Sequence, residues 1–177
     1  SASERLIVTR LSKTHPKAWF VAEEGTAARG RALSPATVVH EDEFLFAIDP
    51  IDGTAQFASG LSDWSVSIGA RESGTHLAGA VVAPRHRLSV WGTPTHAKAT
   101  LDSKAIPVRV RDETRLERAI VGFGMRFAET GRLDAVQALA PRCRSLYTLG
   151  SCALGLAQVG TITKEIPSSA ARARNRS

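Results

Sequence analysis

The chain has 177 residues, 43% of them hydrophobic and 23% charged, a composition that supports a packed core and excludes a wholly disordered chain. No apolar run approaches the roughly 20 residues of a membrane-spanning helix, and Ser1-Ala2-Ser3-Glu4-Arg5 shows no signal-peptide pattern. The net charge is +6, and Lys164, Arg172, Arg174 and Arg176 against Glu165 put half of that excess in the last 17 residues. The body is therefore only mildly basic, which favours anionic ligands such as phosphates. Two cysteines, Cys143 and Cys152, form no CxxC. They argue against a disulfide scaffold and make a cytoplasmic chain with free thiols the expectation.

Ser1 followed by Glu4 fits a capping box, Leu6, Ile7 and Leu11 continue at helical spacing, and Pro16 ends the helix. Ala18 to Ala22 is a short apolar run, predicted as a buried strand ending at Glu23-Glu24. Residues 25–42 are small and polar and are predicted as loop. Phe44 to Ile48 is a second apolar strand, which stops at Asp49-Pro50-Ile51-Asp52-Gly53-Thr54, where Pro50 and Gly53 predict a tight turn. Trp64 to Ile68, Leu77 to Ala83 and Leu88 to Trp91 are strands, with turns at 72–75 and 84–86. Together they predict an antiparallel meander. Beyond residue 105 the pattern changes to a strand at 119–123, a helix at 129–140, and Tyr147 to Gly150 leading into a small-residue helix, Ser151 to Val159. The fold class is layered α/β. Its units are 1–105, 106–160 and a basic, disordered tail at 161–177.

Familiar motifs are absent. The five histidines show no i, i+4 pair, Gly122-Phe123-Gly124 has Phe127 in place of a third glycine, and no GxSxG elbow occurs. At 6% aromatics there is no stacking platform for nucleic acid. Asp49 and Asp52 stand out because a tight turn would aim two carboxylates and an intervening carbonyl at one point. Hard oxygen ligands in that arrangement suit magnesium. Gly53 and Thr54 add a backbone N–H that phosphate can approach, and a hydroxyl. An ordinary Asp-Gly turn closing a strand would account for the segment equally well. Glu23-Glu24 alone is an ordinary acidic loop. If its strand neighbours the second one, three or four acids meet at one sheet edge, and such a cluster calls for a cation.

Taken together, Val21-Ala22-Glu23-Glu24, Asp49 to Thr54, Trp64 to Gly69, Gly79 to Pro84 and Leu149 to Leu154 resemble the inositol monophosphatase family of magnesium-dependent phosphatases, over residues 1 to 160. The resemblance implies an αβαβα sandwich like that of fructose bisphosphatase, here incomplete. It also implies roles. Glu23, Asp49 and the Ile51 carbonyl would hold a first Mg2+, and Asp49 and Asp52 would share a second. Thr54 with Glu23 would orient the attacking water, and Glu24 would support the site. Ile51, Asp52 and the amides of Gly53 and Thr54, with the helix start at Gly150-Ser151-Cys152, would hold phosphate or substrate.

The same resemblance implies truncation at both ends. The family carries an aspartate just before the helix that here begins at Ser1. Downstream it carries a Trp-Asp pair, whereas no Trp follows Trp91 in this chain. The arginine-rich tail reads as a frameshifted end or a natural truncation. Three functions follow as alternatives. One is magnesium-dependent hydrolysis of a small phosphomonoester, slowed by the incomplete second cation site. Another is a weak or inactive relative that still binds metal and phosphate. The third is a basic nucleic-acid binder acting through its tail, which the composition disfavours. A homodimer is an expected partner state where sheet edges are left uncovered. The choice among inositol phosphate, a phosphorylated nucleotide, histidinol phosphate and a sugar bisphosphate is not written in the residues present.

Overall fold

The computed structural model describes residues 1–22, 43–124, 131–148 and 150–161. Helix α1 (Ala2–Thr14) starts where Ser1 accepts a hydrogen bond from the Glu4 amide at 3.1 Å, which meets one of the unpaired donors of the first turn. It ends at His15, whose N–H bonds the Leu11 carbonyl, one residue before Pro16. Ile7, Val8 and Leu11 form its apolar stripe. They pack on Phe20, Phe46 and Ile48.

Those three residues belong to β1 (Trp19–Ala22) and β2 (Leu45–Asp52), which pair in parallel. The strands β3 (Ser65–Glu72), β4 (Thr75–Ala83), β5 (Leu88–Gly92), β6 (Ala97–Leu101) and β7 (Lys104–Ile106) follow in antiparallel succession. They complete a seven-stranded sheet in the order β1 to β7. The turn between β3 and β4 places Ser73 and Gly74 both at positive φ (49° and 73°), as a two-residue hairpin requires. The predicted meander is thus present and two strands longer than the sequence reading had it. β6 and β7 escape that reading because Ala97-Lys98-Ala99-Thr100-Leu101 barely alternates. Their turn, Asp102-Ser103, also reaches positive φ (51° and 63°) without a glycine to announce it.

β2 also corrects the reading of its own end. The strand does not stop at Ile48. Asp49 pairs with Ser67 and Asp52 with Ser65, so Pro50 and Ile51 together face Val66 alone. This is a β-bulge. A bulge leaves a residue out of the ladder, which is where a proline, lacking an N–H, can sit inside a sheet.

The second stretch contains β8 (Ile120–Phe123), α3 (Gly131–Leu139), β9 (Ser145–Thr148) and α4 (Cys152–Thr161). β8 and β9 pair in parallel from Ile120 opposite Ser145, with α3 in the crossover between them, as parallel strands need. α4 packs on the large sheet through Leu154, which contacts Ala83 and Leu88. Ala80 stands opposite Ile68, and Ile68 opposite Ile48, so these lie on the α1 face. Ala83, three residues on, points the other way. The large sheet therefore lies between α1 and α4. Among the described residues no helix is long and apolar enough to cross a membrane.

Candidate metal and phosphate site

The bulge positions the acids. The Ile51 amide donates to Asp49 Oδ1 at 3.0 Å, a short side-chain-to-backbone turn of the kind aspartate favours. The Thr54 hydroxyl donates to the Ile51 carbonyl at 3.1 Å. Gly53 has φ 95° and a Cβ there would lie 2.9 Å from the Asp63 carbonyl oxygen. Glycine is therefore demanded twice, by its dihedral and by the Asp63-Trp64 segment packed against it. It leads into α2 (Thr54–Ala58), a single turn held by Phe57 edge-on to Trp64, with ring centroids 4.9 Å apart.

Asp52 is anchored across the molecule. Its Oδ2 accepts from the Ser151 hydroxyl and from the Ala153 amide, both at 2.7 Å. Ser151 is fully buried, accepts from the Leu154 amide at 3.0 Å, and lies 2.9 Å from the hydroxyl of buried Ser65. The family resemblance implies that the helix start at Gly150-Ser151-Cys152 holds phosphate or substrate. The Ser151 side chain turns inward onto Asp52 and Ser65. Gly150 is exposed, with the Gln56 side chain of α2 occupying the place of its missing Cβ, and Cys152 is an exposed free thiol.

The structure thus brings Asp49, Ile51, Asp52, Gly53 and Thr54 into one bulge and turn, and joins Asp52 to the start of α4. Glu23 and Glu24 lie outside the described residues, as do the predicted loop at 25–42, Leu149 and the tail from 162. Ala22 stands opposite Ile48 in the parallel pair, so β1 ends at the level at which β2 reaches Asp49. Among the described residues no group of three or more His, Cys, Asp or Glu side chains is close enough to hold a metal ion. The oxygens present, from two carboxylates and a main-chain carbonyl, fit a hard cation such as magnesium.

Sequence reasoning missed a neighbouring group. Asp63 Oδ1 lies 3.0 Å from His86 Nε2. Partial loss of solvent around its half-exposed ring, and then the Asp63 charge, push the Tyr147 phenol above its ordinary pKa. Ser65 was equally unsignalled, because its partner is 86 residues away and nothing local in a strand of alternating serines points there.

The profile described as "Inositol monophosphatase family" matches residues 1–161. The chain is similar to the inositol-1-monophosphatase SuhB of Mycobacterium tuberculosis, 32% identical over 162 residues, covering 89% of this chain and 54% of that protein. It is also similar to the fructose-1,6-bisphosphatase/inositol-1-monophosphatase of Thermotoga maritima, 30% identical over 158 residues, covering 89% and 55%. Among solved structures, the extragenic suppressor protein suhB of Bartonella henselae superposes with a TM-score of 0.74 at 26% identity, covering 90% of this chain and 59% of that one. The chain therefore spans about half the length of the curated relatives it matches.

Proposed function

The chain belongs to the inositol monophosphatase family, and from that premise we propose that it contributes the cation- and phosphate-handling residues of a magnesium-dependent hydrolysis of a small phosphomonoester. The observation that carries the reading is the bulge at the end of β2, which holds Asp49, the Ile51 carbonyl and Asp52 together, with Asp52 fixed from α4. Asp49, Ile51 and Asp52 would hold magnesium, with Glu23, the residue after β1, as a further carboxylate. Bound there, magnesium supplies charge neutralisation for the transferring phosphoryl group and a more acidic water. Thr54 gives its proton to the Ile51 carbonyl, so its oxygen keeps lone pairs with which to orient an attacking water. The Gly53 and Thr54 amides serve the phosphate. The exposed positions Gly150 and Cys152 serve the remainder of the substrate.

Two measurements on the purified chain test this. Saturating magnesium raises its unfolding free energy by about 1–3 kcal/mol, as a ligand binding only the folded state does, and Asp49→Asn removes the gain. Phosphate release is assayed against inositol monophosphate, a phosphorylated nucleotide, histidinol phosphate and a sugar bisphosphate. Release that stops on chelation supports the reading. Identical melting with and without magnesium in a folded chain overturns it. A binding module without turnover is the second reading. Magnesium and phosphate binding with no release from any of the four esters selects it.

A further inference from the structure

Four groups converge on one oxygen of Asp52 or on the hydroxyl that serves it, and their donor and acceptor roles can be assigned. An ionised carboxylate only accepts and a backbone amide only donates. The Ser151 proton must therefore go to Asp52 Oδ2, and Ser151 Oγ accepts from the Leu154 amide. The contact between Ser65 and Ser151 is compatible with either hydroxyl as donor, but the single Ser151 proton is already committed. Ser65 is then the donor. The result is a directed chain from Ser65 to Ser151 to Asp52, closed on the carboxylate by the Ala153 amide. Ser65 and Ser151 are both buried completely, where such bonds are strong and polarise one another. Both bonds that Asp52 receives among the described residues fall on Oδ2.

We propose that Ser151 is a positioning residue for Asp52, and that Ser65 supports it. Together with the first turn of α4 they hold Oδ2, so that Oδ1 is presented to a divalent cation at the β2 bulge. The inference rests on the reading of Asp52 as a magnesium ligand, and it assigns Ser151 a role other than contact with substrate. It also explains why a serine rather than an apolar residue fills this buried place. A carboxylate free to rotate would pay ordering entropy at the moment of binding, whereas a carboxylate clamped by two donors has been oriented in advance by folding.

The test is calorimetric titration of the full chain with magnesium, beside its metal-free thermal melting. Ser151→Ala should raise the magnesium dissociation constant about tenfold or more, the usual size for the loss of a group that orients a ligand. Ser151→Thr, which keeps the hydroxyl, should restore most of the affinity. Ser65→Ala, which leaves Ser151 bonded to Asp52, should weaken binding by a smaller factor. A merely structural serine would lower the metal-free melting temperature of Ser151→Ala and leave the dissociation constant unchanged. That result overturns the proposal. Should Ser151→Ala not melt cooperatively, Ser65→Ala decides, and an unchanged dissociation constant there has the same meaning. Asp52→Asn separates the proposal from its premise. If it weakens magnesium while Ser151→Ala does not, the positioning role falls alone. If it has no effect, the ligand role of Asp52 falls and takes this inference with it.

Discussion

The stretches 1–106 and 107–161 bury their apolar side chains very differently. In the first, Val8, Phe20, Phe46 and Ile48 are enclosed beneath α1, and Ala83 and Leu88 beneath α4. In the second, no described side chain of β8, α3 or β9 is buried. Ile120 is 55% exposed, Leu133 54% and Leu156 71%. Among the described residues of this stretch, burial is confined to Ser151, just before α4, and to Leu154 and Ala157 within it. Hydrophobicity does not account for the difference, since Leu154 and Leu156 are the same residue two positions apart. What differs is the presence of a packed layer to bury against, and α4 finds that layer in the sheet of the first stretch.

The widest prediction follows from this. Leu154→Ala empties a site with no solvent exposure, and should lower stability by about 2–5 kcal/mol in chemical denaturation. A loss below about 1 kcal/mol would mean that α4 is not anchored as described. Next is Gly53→Ala in the turn of the first stretch. There a positive φ and the Asp63 carbonyl both oppose a side chain, and the expected cost is about 1–3 kcal/mol. Stability equal to the parent would show that the bulge can relax. Leu156→Ala completes the contrast, with an expected change within about 0.5 kcal/mol. A larger loss would reveal a layer over the exposed side of α4.

The smallest effect is read by titration. Tyr147 is the chain's one tyrosine, so ultraviolet absorbance reports its ionisation alone. Its pKa is raised by partial loss of solvent around the half-exposed ring and then by Asp63, so the phenolate should appear at higher pH than in the unfolded chain, and Asp63→Asn should bring it back part of the way. A raised value means the folded state holds the proton more tightly. The associated stability is whole below the unfolded-state value and declines as pH climbs through the folded-state one. An absorbance midpoint equal to that of the denatured chain would remove Asp63 from the neighbourhood of Tyr147.

Much of the first stretch was legible because its signals are local. Ser1 and Glu4 announce a helix start, the run Trp64 to Ile68 alternates, and Ser73-Gly74 marks a hairpin. The end of β2 was misread for an equally local reason. Pro50 and Gly53 signal a turn, but a bulge keeps Pro50 within the sheet and the chain leaves it only at Gly53. At the site, Asp49, Asp52, Gly53 and Thr54 stood out as a motif, and the family resemblance they carried is the one the comparisons show. The inward role of Ser151 was not legible. It depends on Ser65 and Asp52, at separations of 86 and 99 residues, and no spacing rule reaches that far. Loop-like composition at 97–106 concealed β6 and β7 because alanine and lysine report little about strand faces.

Strand order in the large sheet follows strand order in the chain from β1 to β7, and this has a consequence in time. From β2 onward each strand closes on a neighbour just synthesised or just folded, and short closures cost little entropy. The bond between Ser65 and Ser151 must wait for a far longer closure. Docking of α4, and with it the clamp on Asp52, is then a late event, after the hairpins have condensed. Contacts absent from a folding transition state govern the rate of unfolding rather than of folding. The damage done by Leu154→Ala should accordingly appear as faster unfolding at a nearly unchanged folding rate, with the magnesium-binding end of β2 loosened first while the meander behind it is still intact.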